Sequence, residues 1–371
     1  MTDMTPRVAV AMLGARRHYA VPRLLYEAGL LECFYTDSYI GNKPWLEAVL
    51  KMIPKSVRSR GVQRWLGRRD AVLPADKVKS FEALGLWYVW ALSRARNNLQ
   101  QQIVYKKAAE RFSHHILASG IGDAHIVWGF NGASLEIFEQ AKVQGITCIL
   151  EQTILPKRLE SNLLREEVER WPGWEPGLQI PETESLLSAR EKQEWALADR
   201  IIAGSNFVRT GLIECGVSAD KISVIPYGVD IQRFPSPEKK AVVSNDGPLK
   251  ILFAGQVGLR KGIPDLLMTL QKFKPGEIHA RIAGTIALEH KRLRGYGESV
   301  QFLGQVPRSE IQQLFNWADI FVLPSIVEGS ATVTYEALMS GVPVITTPNA
   351  GSIVRDGEDG FIVPIRDPDA L

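Results

Sequence analysis

The 371-residue chain is poor in cysteine. It has three, Cys33, Cys148 and Cys215, far apart and without a C-x-x-C pair. That excludes a disulfide framework and a thiolate zinc site, and it suits reduced thiols. Six histidines show no metal-ligand spacing, and His114 and His115, being adjacent, would point to different faces of a helix. No apolar run approaches the roughly 18–20 residues that span a bilayer. The polar start 1–7 and the short apolar run 8–13 do not make a signal peptide. The expected location is therefore cytoplasmic, at most peripheral on the inner face of the cell membrane. A formal net charge of +3 is too small to argue for a nucleic-acid partner. The first candidate strand is not followed by G-x-G-x-x-G; Met12-Leu13-Gly14-Ala15-Arg16-Arg17 stands there, which argues against a nicotinamide oxidoreductase.

What is present is a chain 45% hydrophobic and 23% charged, ordinary for a globular protein and long enough for two domains. Short β-branched runs alternate with helical periodicity. Candidate strands are 7–13, 33–36, 125–128, 147–150, 200–203 and 222–225, then 250–254, 280–283, 300–303, 320–323, 344–346 and 361–363. Buried strands alternating with helices predict parallel sheets covered on both faces, an α/β architecture. The stretch 235–248, rich in Pro, Lys, Ser, Asn and Gly, reads as a linker between residues 1–235 and 236–371. Two such domains would face each other across a cleft at the carboxyl ends of their strands. Asp367-Pro368-Asp369 announces a helix that the chain does not deliver, so the C-terminal helices are expected to be truncated.

The sharpest segment is LPSIVEGSATVTYEALMSGVPVITT, residues 323–347. A strand ends, a loop carries Glu328, Gly329 and Ser330, and a helix follows to about Ser340. The free N–H groups near Ser330, Ala331 and Thr332 sit at a helix N-terminus, where an anion is favoured. Glu328 and Glu336 are separated by at most about 12 Å if every step is helical. A diphosphate at the amides would thus have one carboxylate near its sugar and the other near its ribose hydroxyls. The second segment, KILFAGQVGLRKGIPDLL at 250–267, runs a strand into Arg260-Lys261-Gly262. Two adjacent cations at that turn can neutralise charge on a departing nucleoside diphosphate, a job that otherwise falls to a metal. No D-x-D cluster sits on a loop of this segment, so no metal site is assigned.

Together these residues resemble family-four glycosyltransferases, retaining enzymes of the GT-B fold, through Glu328 to Glu336 (E-x7-E) and Arg260-Lys261-Gly262. Val224-Ile225-Pro226-Tyr227-Gly228-Val229-Asp230 is similar to their V-I-P-N-G-V-D strand end, and Phe302-Leu303-Gly304-Gln305-Val306 to a base-contacting strand and loop. The resemblance implies two Rossmann-like domains, 1–235 for the acceptor and 236–371 for the donor. It implies that Arg260 and Lys261 hold the diphosphate, Glu336 the ribose, and that Glu328 lies by the sugar. Gly14, Gly284, Val306 and the backbone from Gly329 and Ser330 through Ala331, Thr332 and Val333 complete the donor set. The family often carries Thr-x-His after an N-terminal strand. Here Glu151-Gln152-Thr153 follows, so Gln152 or Glu151 takes the place of the histidine. The implied co-substrate is a UDP- or GDP-sugar with no further cofactor. The implied acceptor is a glycan or lipid-linked hydroxyl, in polysaccharide biosynthesis.

Between Trp45 and Arg69, apolar residues interleave with Lys51, Lys55, Arg58, Arg60, Arg64, Arg68 and Arg69, opposed by Glu47 alone. This predicts a basic amphipathic helix on an anionic membrane surface. Leu86-Trp87-Tyr88-Val89-Trp90 adds aromatic surface. The competing reading of the whole chain is an inactive, truncated GT-B scaffold that binds a nucleotide without transferring sugar.

Overall fold

The computed structural model describes residues 5–54, 57–180, 185–229, 231, 247–307 and 310–371. Lys55, Asp230 and 235–246 of the expected linker lie outside these residues. The first sheet has the order β3-β2-β1-β4-β5-β6-β7, built from β1 (Val8–Met12), β2 (Leu31–Thr36), β3 (Val78–Ser80), β4 (Ile126–Phe130), β5 (Thr147–Gln152), β6 (Arg200–Ala203) and β7 (Ile222–Val224). The second has the order β10-β9-β8-β11-β12-β13, with β8 (Leu249–Ala254), β9 (Ile278–Ala283), β10 (Val300–Gly304), β11 (Ile320–Leu323), β12 (Val344–Thr346) and β13 (Gly360–Ile362). Every neighbouring pair in the second sheet is parallel. All twelve strands expected from the sequence form, with ends moved by one or two residues. The unforeseen one is β3, three residues of Val-Lys-Ser that pair with Phe34 to Thr36 at the sheet edge. So short an edge strand has no hydrophobic run to betray it.

In both sheets the strand order reverses beside the first strand, between β1 and β4 and between β8 and β11. Ligands of open α/β sheets bind outside the carboxyl ends at that reversal. β1 is buried at all five positions, as a central strand covered on both faces must be. Its neighbours form a core of Val10, Met12, Tyr19, Phe34, Tyr39 and Phe130. The rings of Tyr19, Phe34 and Tyr39 meet edge to face at 5.4–6.2 Å. The second sheet packs a larger core that includes Leu252, Phe253, Leu267, Phe315, Phe321 and Val344.

The chain separates into two compact units, Met1–Gln152 with Pro181–Ile202 and Asp220–Ile222, and Thr153–Ile180 with Ala203–Ala219 and Ser223–Leu371. The helix Lys157–Arg170 thus packs with the C-terminal sheet: Arg170 pairs with Asp265 at 3.1 Å, and Arg366 pairs with Glu167 at 2.6 Å. At the chain end, the Asp367 carboxylate accepts the N–H groups of Asp369 and Ala370, the cap geometry that the sequence signalled. Among the described residues no helix is long and apolar enough to cross a membrane.

Candidate active site

The second unit brings Arg260, Lys261 and Glu328 together. A 3-10 turn, Leu259–Lys261, follows β8 and ends on Gly262 at φ +65°, a left-handed conformation suited to glycine. A Cβ there would lie against the Pro324 carbonyl oxygen, so the turn packs directly on the end of β11. The N–H groups of Ile326 and Val327 donate to the Arg260 carbonyl, binding the two loops to one another. The Glu328 carboxylate accepts from Arg260 at 2.7 Å and from Lys261 Nζ at 2.5 Å, through the same oxygen, Oε1. Lys261 is buried. Burial pulls its ammonium below the ordinary lysine value; Glu328 opposes that shift and Arg260 adds to it.

Glu328 lies on the loop, its N–H fixed to the Asn349 carbonyl at 3.1 Å, and Glu336 is half-buried inside the helix Thr332–Met339. The amides divide differently from expectation. The Ala331 N–H donates to the Ala350 carbonyl at 3.1 Å, so in this structure it is already engaged rather than offered to an anion. Ser330 is buried with its hydroxyl 2.6 Å from that of Tyr335. The Gly329 carbonyl accepts from Ser205 Oγ at 2.5 Å. Thr332 is exposed and Val333 half-buried at the helix start.

Gly284 and Val306 line a pocket of about 460 Å³ with Gly255, Gln256, Thr285 and Ile311, at the carboxyl ends of β8 and β9. Lys261 runs beside this pocket: a Cβ at Gly255 would sit 3.5 Å from its Cε. Sequence reasoning missed Glu175. Its carboxylate accepts the Leu259 N–H at 2.7 Å and closes on Gly258, bracing the cationic turn from behind. Burial raises the Glu175 pKa, against the Leu259 N–H and Arg260. Glu175 lies in W-P-G-W-E-P-G, whose rings Trp171 and Trp174 meet at 5.0 Å and pack on the second core. No periodicity marks so irregular a segment.

The first unit corrects one assignment. Gln152, expected near the donor sugar, is fully buried: its amide nitrogen donates to Glu191 at 3.1 Å and its oxygen accepts from Trp195 at 3.0 Å. A carboxamide bonded at both ends is a strut of the interior, and we do not assign it a catalytic contact. Glu151 is likewise buried, paired with Arg17 at 2.9 Å and bonded by Trp128 Nε1 at 3.2 Å. Burial raises its pKa, against Arg17. Gly14 lies just past β1, and its N–H donates to Asp37 Oδ1 at 2.8 Å.

Beside Gln152, Glu194 accepts the N–H groups of Gly132 and Ser134 at 2.6 and 2.8 Å, yet complete burial pushes its pKa up to about 7. A folded-state pKa above the unfolded value gives stability that is present below about 4.5 and lost as pH rises through about 7. Urea unfolding of the wild type against Glu194→Gln is expected to show a wild-type contribution falling by roughly 3 kcal/mol across that window. A constant difference between the two proteins from pH 4.5 to 8 would remove this assignment.

Residues 248–371 match the family described as glycosyl transferases group 1, and residues 176–233 match Glycosyltransferase Family 4. The D-inositol 3-phosphate glycosyltransferase of Xylanimonas cellulosilytica is 29% identical over 212 residues, 51% of this chain and 50% of that one. The glycogen synthase of Mycobacterium tuberculosis is 27% identical over 222 residues, 56% of this chain and 51% of that one. The chain thus spans about half the length of the curated relatives it matches. Among solved structures, Anabaena HepE in complex with UDP and glucose superposes over 99% of this chain and 88% of that one, with TM-score 0.56 and 14% identity, a likeness of fold. Two parallel-sheet α/β units of the GT-B kind thus carry one segment similar to the group 1 glycosyl transferases and one similar to Glycosyltransferase Family 4.

Proposed function

We propose that this chain moves a sugar from a nucleoside diphosphate, UDP or GDP, to a hydroxyl of a glycan or lipid-linked acceptor, with retention and without a metal, in polysaccharide synthesis. The observation that carries this reading is the Arg260–Lys261–Glu328 cluster at the carboxyl ends of β8 and β11, beside the pocket of Gly284 and Val306. The UDP and glucose of the HepE complex support the donor class. The glycosyltransferase names of the relatives support the transfer.

In this reading the nucleoside occupies the pocket and the diphosphate meets Arg260 and Lys261. Both cations are held ready by one carboxylate oxygen of Glu328. The incoming phosphate oxygens compete for the same donors and leave Glu328 to face the sugar. The cations then stabilise the charge that develops as the glycosidic bond breaks. The acceptor hydroxyl attacks from the face that the diphosphate leaves, its oxygen bonding to the anomeric carbon while its proton passes to an oxygen of the departing diphosphate. A thermal-shift screen of UDP-, GDP- and ADP-sugars identifies the donor, because a ligand that binds only the folded state raises its apparent stability. NMR of the product then reads the anomeric configuration, and an excess of chelator leaves the rate unchanged. Binding without any transfer, across a range of hydroxyl acceptors, would favour the scaffold reading.

A second expectation follows from the burial of Lys261. A diphosphate raises the pKa of an ammonium that burial has lowered. Nucleoside diphosphate binding in alkaline solution, where part of the free Lys261 has lost its proton, should therefore take up protons, seen as a calorimetric enthalpy that varies with buffer. Lys261→Arg, always charged, should abolish the dependence. A dependence equal in the two proteins would place the proton elsewhere.

A further inference from the structure

The first unit exposes apolar surface that its interior does not use. The expected single helix from Trp45 to Arg69 is two, Pro44–Met52 and Arg60–Leu66. The first buries none of its residues fully. Trp45, Val49 and Met52, at i, i+4 and i+7, share one stripe and are 68%, 54% and 82% exposed. The helix Glu82–Arg94 repeats the pattern. Leu84, Gly85 and Ala91 face the interior, while Leu86, Val89 and Trp90 are 63%, 59% and 53% exposed. The starts of the two helices are tied together, since Lys43 Nζ reaches Glu82 at 2.5 Å and Ser80 Oγ at 2.9 Å.

Charge says what meets these stripes. Residues 43–69 and 82–99 carry ten basic side chains and two carboxylates. The carboxylates are drawn inward: Glu47 lies beneath Lys51 and Arg69, and Glu82 under Lys43. Not every cation faces out. Arg68 turns in to Asp37 at 2.7 Å, and Arg58 closes the end of the first helix on the carbonyls of Lys51 and Ile53. Lys51 and Arg64 are exposed, and the Arg94 guanidinium lies 4.3 Å over the Trp90 ring. Tryptophan, large apolar side chains and cations on flexible stems are what an anionic lipid surface receives: rings at the headgroup level, stems in the apolar boundary, charges among phosphates.

We propose that the stripes Trp45–Val49–Met52 and Leu86–Val89–Trp90, with the exposed cations Lys51 and Arg94 of the same two helices and Arg64 of the helix Arg60–Leu66, dock this unit on an anionic bilayer. The proposal is independent of the donor site. The test is co-sedimentation of the full chain with vesicles of phosphatidylcholine alone, or with about one-third phosphatidylglycerol, at low and high salt. Partition onto the anionic vesicles should exceed that onto neutral ones by about ten-fold or more and fall with salt. Lys51→Glu with Arg64→Glu should lower it by about five-fold or more per cation. Trp45→Ser with Met52→Ser should lower it by more than about ten-fold. All four substitutions should leave nucleoside diphosphate affinity and thermal unfolding unchanged, which separates loss of docking from loss of fold. Equal partition of wild type and variants overturns the proposal. So does light scattering that shows a dimer which Trp45→Ser with Met52→Ser dissolves, since the stripes would then cover a second copy of the chain.

Discussion

Arg260→Ala lowers kcat/KM for sugar transfer by about 10²–10³-fold, the effect expected when one preorganised donor to a developing anion is removed. The fold survives, because the substitution leaves intact what holds the turn in place. The backbone carbonyl of residue 260 still accepts from Ile326 and Val327, and Glu175 still accepts the Leu259 N–H. Lys261 still finds the same Glu328 oxygen at 2.5 Å, so the buried ammonium keeps its counter-charge. Arg260→Lys recovers only part of the rate, since an ammonium cannot present the planar fork of donors that a guanidinium offers a phosphate. Calorimetric titration with the nucleoside diphosphate separates the two parts of the effect. A weaker Kd with unchanged kcat means ground-state binding; loss of kcat means stabilisation of the leaving group. An Arg260→Ala protein of wild-type kcat/KM on its own donor would end the assignment of this cluster.

Gly284→Ala should be the most damaging single methyl in the second unit. Gly284 sits at φ +146°, a region that side-chain-bearing residues do not enter, and an added Cβ would coincide with the Gly255 carbonyl oxygen. The backbone cannot move aside cheaply. Gly255 N–H donates to the Ala283 carbonyl at 2.9 Å and Gly284 N–H to the Gly304 carbonyl at 2.7 Å, so the carboxyl ends of β8, β9 and β10 are fastened at this point. Loss of more than about 4 kcal/mol in urea unfolding is expected, in the range reserved for cores and forced backbone. Gly304→Ala is the control: at φ +65° with open space around it, it should cost only about 1–2 kcal/mol. Similar losses in the two variants would mean that the close approach of Gly255 and Gly284 is wrong. The resemblance assigned Gly284 to the donor. The structure adds that a glycine is required there by the packing of the pocket wall before any ligand arrives.

Much of this molecule was legible one residue at a time. Strands such as 320–323 and 344–346 were marked by β-branched runs with a punctuating Pro or Thr, and they form where expected. β3 was not, because three residues of Val-Lys-Ser at an edge carry no pattern of their own. Within the site, Arg260, Lys261 and Glu328 were legible because each stands at a fixed distance from a strand end, and strand ends of a parallel sheet converge. Glu175 was not. It reaches Leu259 across 84 residues of sequence, from an irregular turn whose position is set by Trp171 and Trp174 against the second core. Gln152 was misjudged for the converse reason. Its place after β5 suited a ligand contact, but Glu191 and Trp195, some forty residues on, close over it.

The amino-acid sequence by itself determined the two parallel sheets, the cationic turn after β8, the spacing of Glu328 and Glu336 about the start of the helix Thr332–Met339 and the abundance of basic and apolar residues between Trp45 and Arg69. These follow from local period, local turn chemistry and composition, which need no distant partner. Only the tertiary structure decided which polar groups remain available. It gave both cations to one oxygen of Glu328, took the Ala331 amide for the Ala350 carbonyl, closed Gln152 into the interior and left Trp45, Val49 and Met52 outside. The physical reason is that a buried donor or acceptor must find its partner wherever the chain brings one, and the chain brings it from residues far away in sequence.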